Sequence, residues 1–373
     1  MKLGKLVVFI TFLMSQVGAQ AASDFNLGIT SVEFIDEQRT SWDGKSKRPI
    51  LTHIFYPTTD TNVKPILLGE PNNALFNAGN AVMNGKVTNQ NKRPLIIMSH
   101  GTGGSALQML WIAETLVKNG YLVIGVNHHG NTAAEEKKYA EGYKLWWERS
   151  QDISVVLEQL SSHNIWGPAV DQNKIGMIGF SLGGYTALSS IGGITDKTLF
   201  TAFCQSPDKD FTCNAQVEFS DIDKAFNKVK NSQRVKESLL REHDSFKIDA
   251  IKAAFVLAPA VVQAINKESL KNISVPISVV VGSIDRIAPA KTNGKVVSKL
   301  MGNSQYSELE KVGHYTFLSN CTGLGFKYLK ELCGDHKSIV RDKIHSDVSQ
   351  KAVDFFDRVF VYNTHLSQIT GNR

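Results

Sequence analysis

The 373-residue sequence predicts an α/β fold with a mostly parallel central sheet and helices on both faces. Two observations predict it. Short, almost continuously apolar runs recur along the chain, as strands buried on both faces require. Between them the apolar spacing changes to that of one helix face, so strand and helix alternate. With 42% hydrophobic and 20% charged residues, the chain can bury a sizeable core, which excludes the disordered and fibrous classes.

The chain begins MKLGKLVVFITFLMSQVGAQAASDF. Lys2 and Lys5 precede an apolar run from Leu6 to Met14, and small residues ending in Ala19-Gln20-Ala21 follow. This is the pattern of a secretory signal peptide, residues 1–21, cut after Ala21. The apolar run is shorter than the roughly 20 residues of a spanning helix. The expected mature chain, 22–373, is therefore exported, periplasmic or secreted, with no membrane span. Losing Lys2 and Lys5 takes the formal charge from +6 to +4. That mild excess, without a Lys/Arg-rich block, gives no reason to expect a nucleic-acid partner.

The runs RPILTHIFY (Arg48 to Tyr56) and PLIIM (Pro94 to Met98) read as strands. Helical spacing follows from Leu107 to Val117, stopped by Gly120, and then the strand YLVIGV from Tyr121. In WWERSQDISVVLEQLSS, Ile153, Val156, Leu157 and Leu160 share one helical face. A turn at Gly167-Pro168 leads to the strand KIGMIGF and to Ser181. The alternation lapses from about 193 to 250, where Ile222, Phe226 and Val229, then Val235 and Leu239, are helically spaced. This predicts an inserted, mainly helical lid, with an ordinary surface excursion as the alternative. Strand-like segments then return in IKAAFVLAPA, VPISVVVGSIDRIAP and SQYSELEKVGHYTFL, and a last helix is expected from about Val348 to Val361. No internal repeat is present.

In an exported chain the four cysteines form disulfides. Three pairings are open, and closeness in sequence favours Cys204 with Cys213 and Cys321 with Cys333. Neither spacing is that of a four-cysteine zinc site.

Ligands of an open parallel sheet bind beyond the carboxyl ends of its strands, and four polar stations fall there. Ser181, in GFSLGG, lies where a strand turns sharply into a helix, the setting of an exposed nucleophile. The glycine-rich SHGTGGS (Ser99 to Ser105) follows another strand, so the N–H of Thr102, with that of Leu182, is the candidate oxyanion hole. His100, inside that loop, reads as structural. Asp285 ends an apolar strand, and His314 follows the next one. His336 and His345 lie in less suitable polar segments. Ser181, Asp285 and His314 stand in the chain order of the α/β-hydrolase triad: nucleophile, orienting acid and general base. That chemistry calls for no metal and no organic cofactor. Trp111, Trp146, Trp147 and Trp166 are better explained by core packing than by a pocket.

Taken together, SHGTGGS, NHHGNT, LWWERSQDIS, GFSLGGYTAL, GSIDRIAP and GHYTFL resemble, in the same order, bacterial α/β-hydrolases of the predicted dienelactone hydrolase group, relatives of platelet-activating-factor acetylhydrolase. The resemblance runs from about Arg48 to Leu318. It implies the α/β-hydrolase fold, a Ser181-Asp285-His314 triad, an oxyanion hole at Thr102 and Leu182, and short- or medium-chain carboxylic esters as substrates. Dienelactone hydrolases proper use a cysteine where this chain has Ser181, so their activity does not carry over. The expectation is an exported serine esterase acting on a small-molecule or lipid-like ester through an acyl-enzyme. The alternatives are a lipase, phospholipase or cutinase-like polyesterase, and an inactive hydrolase scaffold that only binds.

Overall fold

The structure, a computed structural model, describes residues 25–87, 91–214 and 217–370. The expected signal peptide lies outside them. The strands are β1 (Asn26–Thr40), β2 (Lys47–Thr58), β3 (Lys64–Glu70), β4 (Asn73–Met83), β5 (Arg93–Ser99), β6 (Leu122–Val126), β7 (Val170–Phe180), β8 (Ile251–Leu257), β9 (Ile277–Gly282), β10 (Ser304–Leu309) and β11 (Asn320–Cys321). They form one sheet in the order β10-β9-β8-β7-β5-β6-β2-β1-β4-β11, with β3 paired to β4. From β10 to β6 every pairing is parallel. At β2 the direction reverses, and β1 returns antiparallel to it.

The continuous apolar runs are explained by burial on two sides. Along β7, Ile175 and Met177 face one core and Ile178 and Phe180 the other; Ala254 and Val256 of β8 are likewise opposed to Phe255 and Leu257. The first core is closed by α2 (Glu148–Ser162) and α3 (Leu182–Ser190), the second by α1 (Leu110–Lys118) and the C-terminal helix. Because strand side chains alternate between faces, each run must be apolar at every position.

Three strands and one helix depart from the expectations. The strands β1, β3 and β4 were not predicted. They carry mixed polar and apolar residues, including Asn and Gly, because much of their length meets solvent. The C-terminal helix spans Arg341–Thr370, well beyond Val348 to Val361. Its middle, with Val348, Phe355 and Phe356, packs in the second core and shows apolar periodicity.

Residues 193–250 carry α4 (Lys197–Gln205), α5 (Ile222–Val229) and α6 (Gln233–Leu240), joined by short 3-10 turns. Cys204 bonds Cys213 and Cys321 bonds Cys333, the favoured pairing, with Cα separations of 5.5 and 5.9 Å. Among the described residues no helix is long and apolar enough to cross a membrane.

Candidate active site

Ser181 stands between the end of β7 and the start of α3, with φ 54° and ψ −117°. A non-glycine residue at positive φ is strained, and the surroundings must hold it there. They do so through its backbone: Ser181 N–H donates to Leu257 C=O at 2.9 Å, and Ser181 C=O accepts from Gly184 and Ala260 N–H at 2.8 and 3.1 Å. The turn also leaves no room for side chains. A Cβ on Gly183 would stand 1.8 Å from the Ser99 carbonyl oxygen, and one on Gly179 would stand 2.0 Å from the Gly183 oxygen.

The other two candidate residues meet it there. His314, just beyond β10, places Nε2 2.9 Å from Ser181 Oγ and Nδ1 2.7 Å from Asp285 Oδ2. The Asp285 carboxylate can only accept, so Nδ1 carries the imidazole proton and Nε2 is free to accept from the serine hydroxyl. Asp285 Oδ1 in turn accepts from the N–H groups of Ile287 and Ala288 at 2.9 and 2.8 Å, which fixes the carboxylate in the turn after β9. All three residues are buried. The chain Asp285–His314–Ser181 can accept a hydroxyl proton and stabilise the resulting imidazolium.

The loop after β5 runs beside this chain, with Gly101 so placed that a Cβ there would lie 3.2 Å from Ser181 Cβ. Thr102 lines the same cavity as Ser181 and His314. Leu182 opens α3, where an N–H has no partner within the helix. His100 is occupied on both sides: Nε2 accepts from His128 N–H at 3.2 Å, and Nδ1 lies 2.7 Å from Gly101 C=O. Burial pushes its pKa well below the usual range, and the ring acts as a strut of the loop.

Behind the loop lies a buried charge network that sequence reasoning missed. Asp152 joins Arg39 at 2.6 Å, Arg48 at 2.8 Å and His128 at 3.1 Å, and His128 reaches Ser99 Oγ at 2.9 Å. Arg149 donates to the His100 carbonyl. Three of these residues lie in the NHHGNT and LWWERSQDIS stretches, but nothing local marks a distant arginine as their partner. Burial lowers the His128 pKa to about 3, so the ring is neutral and its Nδ1 contact with Asp152 is a hydrogen bond.

The cavity over Ser181 has a volume of about 260 Å³, and residues 193–250 contribute Phe211, Thr212, Asn214 and Glu218 to its wall. A neighbouring pocket of about 110 Å³ shares Thr212 and Asn214 and is bounded by Leu182, Tyr143, Trp146 and Phe200. A larger cavity of about 620 Å³, between Leu199, Phe203, Val262 and Leu270, contains none of the candidate residues. Ser181, His314 and Thr102 line the 260 Å³ cavity instead. Of the tryptophans only Trp146 borders a pocket near the site; Trp111 stacks on His345 and Trp166 packs against Tyr56.

The chain is similar to known proteins in one family segment and in fold. Residues 81–249 match the dienelactone hydrolase family, a stretch that contains the Ser181 turn and ends before Asp285 and His314. No curated protein matches in sequence. Among solved structures, a ferulic acid esterase from Streptomyces cinnamoneus is similar over 91% of this chain and 92% of its own, with a TM-score of 0.58 and 16% identity, a likeness of fold. The chain thus carries a dienelactone hydrolase family segment and shares the fold of that esterase, and both similarities support a hydrolase of the carboxylesterase type.

Proposed function

We propose that the protein is an exported serine esterase that cleaves short- or medium-chain carboxylic esters through a Ser181 acyl-enzyme. The observation that carries this reading is the unbroken hydrogen-bond chain from Asp285 through His314 to Ser181 Oγ, with steps of 2.7 and 2.9 Å. Ser181 attacks the ester carbonyl while His314 Nε2 takes its proton. The N–H groups of Thr102 and Leu182 receive the developing oxyanion, a contribution of a few kcal/mol per donor in such sites. His314 then protonates the leaving alcohol, and water, activated by the same nitrogen, releases the acid.

Substrate size follows from volume. A 260 Å³ cavity and a 110 Å³ side pocket hold a small acyl and a small alcohol group, and leave little space for the long chains of a lipase substrate. Residues 193–250 act as the lid of this cavity. Export is supported by the leader pattern of residues 1–21 and by two disulfides, which persist in oxidising compartments.

The test is a neutral fluorophosphonate probe on the mature protein, read by intact mass beside Ser181→Ala. One adduct on the wild type and none on the variant is expected. An unmodified wild type at neutral pH favours a hydrolase scaffold that only binds.

A further inference from the structure

The cavity over Ser181 has an uneven charge. Two carboxylate side chains line it, Glu218 from the 193–250 segment and Glu331 from the Lys330–Cys333 turn of helix, and no lysine or arginine is among the described residues that do. His314 is neutral when poised as a base. Two cations at its rim are already engaged: Lys138 gives its ammonium to the Glu218 backbone carbonyl at 3.1 Å, and the Arg286 guanidinium lies over the Phe211 ring at 5.7 Å.

Glu218 lines the same cavity as Ser181 and His314. A Cβ on Gly103, one residue past the Thr102 donor, would lie 2.9 Å from Glu218 Cβ, so this residue rests directly on the oxyanion loop. The Tyr315 side chain, next to His314, stands under the influence of both Glu218 and Glu331; burial first and then Glu218 push its hydroxyl pKa up, so it remains a neutral donor. The rings of Phe180, Phe211 and Tyr315 also line the cavity. Carboxylates beside aromatic faces attract an ammonium group and repel an anion.

We propose that Glu218, assisted by Glu331, is a specificity-determining residue that makes the site select neutral and cationic esters and reject esters bearing a carboxylate. This rests on the esterase reading above. The same charge opposes the negative charge that develops on the substrate oxygen, so absolute rates mix two effects of opposite sign. A ratio between matched substrates isolates the selection, and it does not depend on the fraction of folded enzyme.

The experiment compares kcat/KM for acetates of three alcohols of equal length ending in trimethylammonium, tert-butyl or carboxylate, at low ionic strength, in the wild type, Glu218→Gln and Glu331→Gln. Labelling by the neutral fluorophosphonate runs in parallel. The expected wild-type preference for the cationic over the anionic ester is on the order of tenfold or more, as one or two charges at close range give at an effective dielectric constant of about 20. It should shrink severalfold in Glu218→Gln, less in Glu331→Gln, and weaken as salt is added. A ratio near one, or in favour of the anion, with a serine that labels normally overturns this inference alone. A preference that Glu218→Gln leaves unchanged overturns the assignment to Glu218. A serine that does not label overturns both readings.

Discussion

Two nine-residue helices flank the candidate site, and they could hardly differ more. Every residue of α3, Leu182–Ser190, is buried, and none of α4, Lys197–Gln205, is. The first is wedged between strands with backbone in near contact on several sides. The second sits on the surface, tied by Cys204–Cys213 and by the Thr292 hydroxyl, which donates to Asp210 in the disulfide-closed loop. The part that sets the chemistry tolerates almost no change in shape, whereas the part that shapes the cavity is held by a few discrete ties. Packing fixes the first and cross-links fix the second.

The contrast sets an order of expected effects. The largest belongs to Asp285→Asn, which offers His314 Nδ1 an amide in place of a carboxylate and removes the support of the imidazolium. Steady-state kinetics should show kcat down by roughly 10³ to 10⁴ with KM little altered. A loss below tenfold would mean that Asp285 does not orient the histidine.

Next is Gly183→Ala, where the added Cβ meets the Ser99 carbonyl. We expect destabilisation of at least about 3 kcal/mol in denaturant melts, or no soluble protein, since this overpacking strikes backbone. Leu199→Ala on the exposed helix should cost under about 1 kcal/mol in the same melt. Equal costs would erase the distinction between the two halves.

Smaller is the effect of Cys204→Ser with Cys213→Ser. Loosening the loop that carries Phe211 and Thr212 should raise KM severalfold and leave kcat within about a factor of two, as expected when a substrate-contacting wall loses its anchor. A collapse of kcat instead would show that this loop helps to hold the catalytic groups.

The smallest effect is on stability against pH. Burial lowers the pKa of His53, in β2, and of His345, stacked on Trp111 from the C-terminal helix, to about 4. The unfolded chain therefore binds protons from about pH 6.5 that the folded chain refuses until about pH 4, and stability falls as pH drops through that window. The melting temperature should decline by several degrees between pH 7 and 4.5, and less steeply in His345→Asn. A flat profile would remove these two histidines as the origin of acid sensitivity.

How much of this could be read from sequence depends on the range of each signal. The parallel strands were legible because burial on both faces makes every position apolar. Ser181 and Asp285 were legible because each follows such a strand closely, where polar residues have a reason to be, and His314 because it follows β10, an edge strand with no buried position, in the expected chain order. The hairpin strands β1, β3 and β4 were not, since strands half exposed to water and containing Asn and Gly look like loops. Nor could Glu218 be singled out, because in sequence it is one acid just before a charged run, and only the fold brings it against Gly103 in the loop after β5. Arg39 and Arg48 stayed hidden for the same reason: their partner Asp152 is more than a hundred residues away.

The positive φ of Ser181 has an evolutionary side. Strained backbone of this kind costs on the order of 1 to 3 kcal/mol, and glycine would relieve most of it. Glycine at position 181 should therefore give a more heat-resistant protein with no nucleophile. At this one residue thermal robustness and reactivity are opposed, and selection for a durable fold alone would drive the serine out; its presence ties the persistence of the turn to the use of its hydroxyl.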